Sequence, residues 1–251
     1  PDHDSLADKF SKHAFGAKRT VERWMSRVSF LYDVLNNVVI DAQMDRFDTS
    51  EAALCDTHLG HIRQGDLVVF DRYYASYYLF SVLSHKKVDF LFRMKDNWTC
   101  VKEFLASPLK EKMVEIEPYR YATMAKKIPT NVCKSVKIRL IKQVNRSGDV
   151  KVFATSLLDD ERYSRQSIIN LYKQRWGIEE AYKTLKARLD VIHFSGKTLQ
   201  AVQQDFYANV LLISLTSILK ASIPLKKKTH TKISNKSKKI YNYNFNRRRS
   251  F

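Results

Sequence analysis

The residues best suited to chemistry are carboxylates set among cations. The stretch from about Ser164 to Leu189 reads as one long helix. At ~100° of rotation per residue, Leu171, Ile178, Leu185 and Leu189 share one side of it. Tyr172, Arg175, Trp176, Glu179, Lys183 and Lys186 share another. One face packs, and the other presents a carboxylate among cations. Glu179 and Lys183 have the spacing of an ordinary surface ion pair, but an Arg-Trp dipeptide is unusual on a merely solvated face. A second carboxylate, Asp71, closes the apolar run Leu67-Val68-Val69-Phe70. Carboxylates are hard oxygen donors of the kind that hold Mg²⁺ or Mn²⁺. The plain alternative for Asp71 alone is a polar residue that ends a strand and caps the next helix.

The elements that must position these residues follow from pattern. Residues 1–28 show no clear period and are expected to be irregular. Val38-Val39-Ile40-Asp41-Ala42 reads as a short strand, and Thr49-Ser50-Glu51 as a helix start. Leu67–Phe70 is a continuous apolar run, the signature of a strand covered on both faces. Ser76 to His85 reads as a helix and Val88 to Arg93 as another strand, so strands and helices alternate in an α/β layered domain. From residue 96 to 151 the runs shorten. Met113–Ile116 and Val136–Ile141 alternate with period two, which predicts a β-rich insertion with one polar face. Val152 to Leu158 returns to the core sheet, and a second amphipathic helix is expected from Leu199 to Leu219. The predicted organisation is therefore 1–95 core, 96–151 insertion, 152–224 core with the long helix, and 225–251 tail.

The spacing Tyr172-x2-Arg175-x3-Glu179-x6-Lys186 resembles the Y-R-E-K signature of bacterial insertion-sequence transposases of the DDE class. Gly65 to Tyr74 is similar to that family's second-aspartate strand, with Tyr73 where the family usually has Gly; Leu31–Val34, Phe92–Lys95 and Ala154–Asp159 resemble further family segments. The resemblance covers residues 1 to 219. It implies a ribonuclease H-like mixed sheet flanked by helices, with a β-rich insertion before the last catalytic helix. It also implies metal-dependent DNA cleavage and strand transfer, with Asp71 and Glu179 as catalytic metal ligands. Tyr172, Arg175, Trp176, Lys183 and Lys186 would then meet DNA: Arg175 and Lys186 hold phosphates, Tyr172 touches the backbone, and Trp176 offers, as does Trp98, a surface for a splayed base. Such chemistry uses two divalent ions about 3.5–4 Å apart, one activating the nucleophile and one stabilising the leaving oxygen. A strand-end Asp and a helix-borne Glu can converge across the 108 positions that separate them. The expected partners are double-stranded DNA, as terminal repeats and target, and a second copy of the chain, in a bacterial, cytoplasmic, nucleoid-associated setting.

The family's first catalytic Asp stands in an Asp-Gly-Ser/Thr context, and this sequence contains no Asp-Gly pair. The resemblance places that Asp upstream of Pro1, with Asp41 as the internal substitute to consider. Two other readings stand beside the enzyme: an inactive transposase remnant that only binds DNA, and a ribonuclease H-like nuclease without strand transfer.

Charge agrees with a polyanionic partner without naming it. The 251 residues carry 44 Lys and Arg against 26 Asp and Glu, a net charge of +18. Ten of those cations and no acid fall between Leu225 and Phe251, so the first 224 residues carry 34 cations against 26 acids, or +8. The tail has almost no aliphatic periodicity and is expected to be disordered alone, a basic arm whose Tyr and Phe residues could stack on bases. Cys55, Cys100 and Cys133 are too dispersed for a zinc site or a disulfide framework. His58, His61 and His85 read as singletons on a surface-like helix and loop, and the Tyr73–Tyr78 cluster as packing. No window approaches the ~18 apolar residues of a membrane span.

Overall fold

Among the first 28 residues, expected to be irregular, those that are described are mostly strand. In the computed structural model, which describes residues 6–15, 21–117, 135–188, 198–223 and 240–245, β1 (Ser11–Phe15) pairs antiparallel with the long β2 (Val21–Asp33). Trp24 to Val28 are all half-buried, so this ribbon has no sharply wet and dry faces and leaves no alternation in the sequence. The strand β2 turns into β3 (Val38–Arg46), as the apolar run at Val38 predicted. Asp33 makes the turn: its Oδ1 accepts from the backbone N–H groups of Leu35 and Asn36 at 3.0 and 3.1 Å, and Asn37 takes the left-handed conformation at φ 57°. Helix α1 (Glu51–His58) follows, its N-cap Ser50 accepting from Ala53 N–H at 3.1 Å.

The chain forms two units. The first comprises Pro1–His61, Trp176–Ser237 and Tyr243–Phe251. Its core is built from Phe30, Tyr32, Ala42 and Met44 on β2 and β3 and from the buried residues of two helices further along the chain. The second comprises Ile62–Arg175 and Lys238–Asn242. It begins with β4 (Leu67–Phe70), every residue of which is buried, as a continuous apolar run predicts. Helix α2 (Tyr77–His85), capped by Ser76, crosses to β5 (Asp89–Arg93), which pairs parallel with β4.

Segment 96–151 holds more than strands. It opens with α3 (Thr99–Ala106). The strands β6 (Glu111–Ile116), β7 (Val136–Val144) and β8 (Val150–Thr155) then extend the same mixed sheet, in the order β4-β5-β8-β7-β6. The polar face predicted for β7 is solvated only in part: Lys137 is exposed, but Arg139 is 1% exposed. Its guanidinium donates to Glu111 Oε2, at 3.1 Å from Nε, and to the carbonyl of Tyr163 at 2.7 Å, which matches the rule that a buried charge is paired. One sheet face packs Leu67, Val69, Leu91 and Phe153 against Ile168 and Ile169. On another side Phe70, Phe80, Phe90 and Phe92 form an aromatic cluster, with Phe70 stacked on Phe92 at 4.4 Å between centroids.

The long helix predicted from Ser164 to Leu189 is two helices, α4 (Arg165–Lys173) and α5 (Trp176–Arg188). The last turn of α4 tightens into three-residue hydrogen bonds, Gln174 N–H to Leu171 O and Arg175 N–H to Tyr172 O, both 3.1 Å. The shared face drawn across residues 172–186 is therefore interrupted. Helix α6 (Leu199–Ser222) appears where predicted and buries Val202, Phe206, Val210 and Ile213. It is less amphipathic than expected, because Leu211, Leu212, Leu215, Ile218 and Leu219 are 46–66% exposed. Within the basic tail, Ile240–Phe245 forms β9, where Tyr241, Tyr243 and Phe245 alternate with Asn; such aromatic alternation favours a strand. The rest of the tail, Cys133 and Pro1-Asp2 lie outside the described residues. Among the described residues, no helix is long and apolar enough to cross a membrane.

Candidate active site

Asp71 follows the last residue of β4, and the parallel register Phe70↔Phe92 sets Arg93 beside it at the same edge. Carboxyl ends of parallel strands are where α/β sheets gather their functional groups. From α4, Tyr172 donates its hydroxyl to Asp71 Oδ1 at 3.3 Å. Its ring packs on Phe153 at 4.7 Å, and the Arg175 guanidinium lies over it at 5.7 Å. Burial, and then the charge of Asp71, push the Tyr172 hydroxyl well above its ordinary range, while Arg175 and Arg93 pull the other way. Tyr172 is thus a neutral donor aimed at a carboxylate. The second unit brings together three of the sequence-derived site residues, Asp71, Tyr172 and Arg175, and adds Arg93. Arg93 is missed by a reading for carboxylates, because only the parallel pairing of β5 with β4 sets it beside Asp71.

The remaining site residues lie in the first unit, on α5. Trp176 is 59% exposed, with Lys183 Nζ 5.7 Å from its ring centroid. Glu179 is half-buried in the first turn, where a carboxylate is favoured by the helix dipole. The ion pair expected between Glu179 and Lys183 forms instead with Glu180, at 2.6 Å. Lys186 falls in α5, and its side chain lies outside the described residues. The packing side of α5 is Ile178, Ala181 and Tyr182, all buried. Trp98 precedes α3, is half-buried and packs edge-on against Phe80 at 5.7 Å. Tyr74 and Tyr77 are buried as expected of packing residues, while Tyr73 is 45% exposed with Lys95 over its ring.

His58 corrects the reading of a surface histidine. It is 0% exposed. Its Nδ1 stands 2.6 Å from Asp41 Oδ2 and its Nε2 2.9 Å from Ser29 Oγ. The order Ser-His-carboxylate is that of a nucleophilic relay, yet Ser29 is itself fully buried and no substrate reaches its hydroxyl. The network instead fastens β2, β3 and α1. Burial works against the Asp41 charge, but hydrogen bonds from His58 and Gln43, with the charges of His58 and His61, hold its carboxyl below the usual range. A carboxyl depressed in the folded state contributes stability above its unfolded pKa of about 3.9 and loses it as pH falls through the lower folded value. Asp41→Asn should therefore cost about 1–3 kcal/mol at pH 7 and flatten the loss of stability below about pH 4. Urea melts at neutral and acid pH measure both; equal costs at the two pH values would remove Asp41 from the acid response.

Among the described residues, no group of three or more His, Cys, Asp or Glu is placed to hold a metal ion. The donors present are Asp71 and Glu179, neither fully buried, and both offer the hard oxygens that Mg²⁺ and Mn²⁺ prefer. In donor chemistry they fit such an ion.

Comparisons with known proteins bear on this arrangement. A search among curated proteins finds no match. Among solved structures the chain is similar to the piggyBac transposase in its synaptic complex with hairpin DNA, at TM-score 0.54 and 12% identity. That likeness covers 86% of this chain and 45% of the other, so this chain spans less than half of its length. It bears on the fold, a mixed sheet flanked by helices consistent with a ribonuclease H-like core. The family model described as the transposase DDE domain matches residues 2–215, which takes in both Asp71 and Glu179, and the chain accordingly belongs to the transposase DDE domain family.

Proposed function

We propose that the chain catalyses DNA cleavage and strand transfer at the ends of a bacterial insertion sequence of the Y-R-E-K type. Transposase DDE domains generally use divalent metal ions, and Asp71 and Glu179 would hold Mg²⁺ or Mn²⁺ here. Such ions, when bound, would supply nucleophile activation and charge stabilisation at the scissile phosphate. The observation that carries the reading is the carboxyl edge of β4 and β5. There Asp71 accepts the Tyr172 hydroxyl, within a setting made positive by Arg93 and Arg175. Tyr172 keeps Asp71 oriented, while the arginines draw in phosphate oxygens. On α5, exposed Trp176 and Lys183 offer a ring and a cation to the DNA backbone or a displaced base, with Lys186 further along the helix. The net charge of +18 favours association with double-stranded DNA in a salt-dependent way. The partners are terminal repeats and target DNA, and the working form is a homodimer in a bacterial cytoplasm.

The test uses duplex DNA that flanks this reading frame, with Mg²⁺ or Mn²⁺ and an intact acceptor duplex. Cleaved ends joined to the acceptor are expected. Hydrolysis without joining would replace the reading with a nuclease, and tight binding without any cleavage would replace it with an inactive DNA-binding remnant.

A further inference from the structure

A pocket of about 520 Å³ opens in the first unit beside the β1–β2 ribbon and the end of β3, a size typical of small-ligand sites. Its apolar surface is almost entirely aromatic: Phe10, Trp24 and Phe47 line it, with no Leu, Ile or Val. Flat ring faces suit a flat ligand better than an aliphatic one. Cations lie against those rings. Lys12 Nζ is 5.6 Å from the Trp24 centroid and the Arg27 guanidinium 5.0 Å from that of Phe47. The cross-strand pairing Lys12↔Trp24 fixes the first of these contacts in the ribbon. His13 adds a ring 4.9 Å from Phe47. At one wall Arg46 and Asp48 form a two-pronged pair at 3.0 and 2.8 Å, while Arg46 Nη1 donates to the carbonyl of Ala7 at 3.0 Å. That pair is held in place and presents donors beside acceptors. Among the lining side chains, Lys12, Arg27 and Arg46 outnumber the single acid Asp48, while Glu22, outside the lining, stands 3.9 Å from Lys12 Nζ in an exposed pair.

We propose that this pocket takes an unstacked nucleotide of single-stranded DNA, the base against Trp24 and Phe47 and its phosphate on Lys12 and Arg27. The base's polar edge meets the Arg46–Asp48 pair. Stacking on aromatic faces with flanking cations is the common means of holding single strands without sequence preference. The pocket lies apart from Asp71, Tyr172 and Glu179 in the chain and uses none of them. Its assignment rests on the DNA-processing role proposed above, since a break in one strand lets the nucleotides beside it unstack and leave the duplex.

The test measures anisotropy of a short labelled oligodeoxythymidylate and of a duplex of the same length, with the full chain. Trp24→Leu keeps apolar volume against the core while removing the stacking face, and exposed Lys12→Gln removes a cation without touching the interior. Each should weaken single-strand affinity, Trp24→Leu by about tenfold, with duplex affinity changing less than twofold. Irradiating an oligonucleotide that carries 5-iodouracil should cross-link it to Phe10, Trp24 or Phe47 in the folded wild type, a readout independent of any variant's stability. Unchanged single-strand affinity in both variants, no single-strand binding by the wild type, or cross-links elsewhere would overturn the pocket. Duplex cleavage and joining report separately: their persistence with an idle pocket leaves the transposase reading intact, and their absence sinks that reading even where the pocket binds.

Discussion

Asp71→Asn and Glu179→Gln should each lower metal-dependent strand cleavage by on the order of 10³-fold while duplex affinity stays within about twofold. The magnitude follows from the several kcal/mol that a bound metal supplies as a Lewis acid, each ~1.4 kcal/mol being a factor of ten in rate. Both substitutions keep shape and replace a charged oxygen donor by a neutral amide. At residue 71 the amide oxygen still accepts the Tyr172 hydroxyl that now reaches Oδ1 at 3.3 Å, so the local packing survives. At residue 179 the packed side of α5 is carried by Ile178, Ala181 and Tyr182, and Glu179 can change without disturbing it. Single-turnover cleavage with Mg²⁺, alongside anisotropy with the uncleaved duplex, separates chemistry from binding. A parallel fall in both quantities would make these carboxylates structural and leave the catalytic assignment without support.

Phe30→Ala should destabilise the protein by about 3–5 kcal/mol, the cost of emptying a large aromatic site in a packed core. Phe30 is 0% exposed, stacks on Tyr182 at 4.6 Å and faces Phe206 at 6.1 Å. One ring therefore ties β2 to both α5 and α6. Phe30→Leu keeps most of the volume and should cost less than about 1.5 kcal/mol. Urea denaturation followed by circular dichroism gives both values, and near-equal costs for the two variants would show that the site collapses around the smaller side chain. Cleavage by Phe30→Ala, assayed well below its melting point, should stay far above that of Glu179→Gln, because the first change weakens a support of α5 and the second removes a donor.

Much of this was legible from residues alone, and for identifiable reasons. The strand β4 announces itself because both its faces are covered and its apolar run is bounded by a Gly-Asp turn and Asp71. Helix α2 is marked by its Ser76 cap, and α6 by its length. The break between α4 and α5 had one local signal, Gly177, a poor helix former one residue into α5; Gln174, Arg175 and Trp176 are all tolerated in helices, so the apolar periodicity runs straight through the joint. Arg139 looked like a solvated strand residue because its partners, Glu111 and the carbonyl of Tyr163, stand 28 and 24 positions away. His58 misled in the same way, its partners Ser29 and Asp41 coming from two strands that precede it. The site divides along the same line. Asp71 and Glu179 are candidates through their place in a motif, whereas Arg93 depends on the parallel register of β5 with β4, which spacing along one strand does not reveal.

The outward leucines of α6 govern how the protein behaves in a tube. Leu211, Leu212, Leu215, Ile218 and Leu219 form an oily strip on a molecule of net charge +18. At low ionic strength mutual repulsion keeps copies apart. Raising the salt to strip away contaminating nucleic acid shortens the screening length to about 3 Å at 1 M and takes away that colloidal protection while the strip stays sticky. The conditions that clean this protein should thus be the ones that make it clump, and light scattering across a salt series, with and without arginine, checks this.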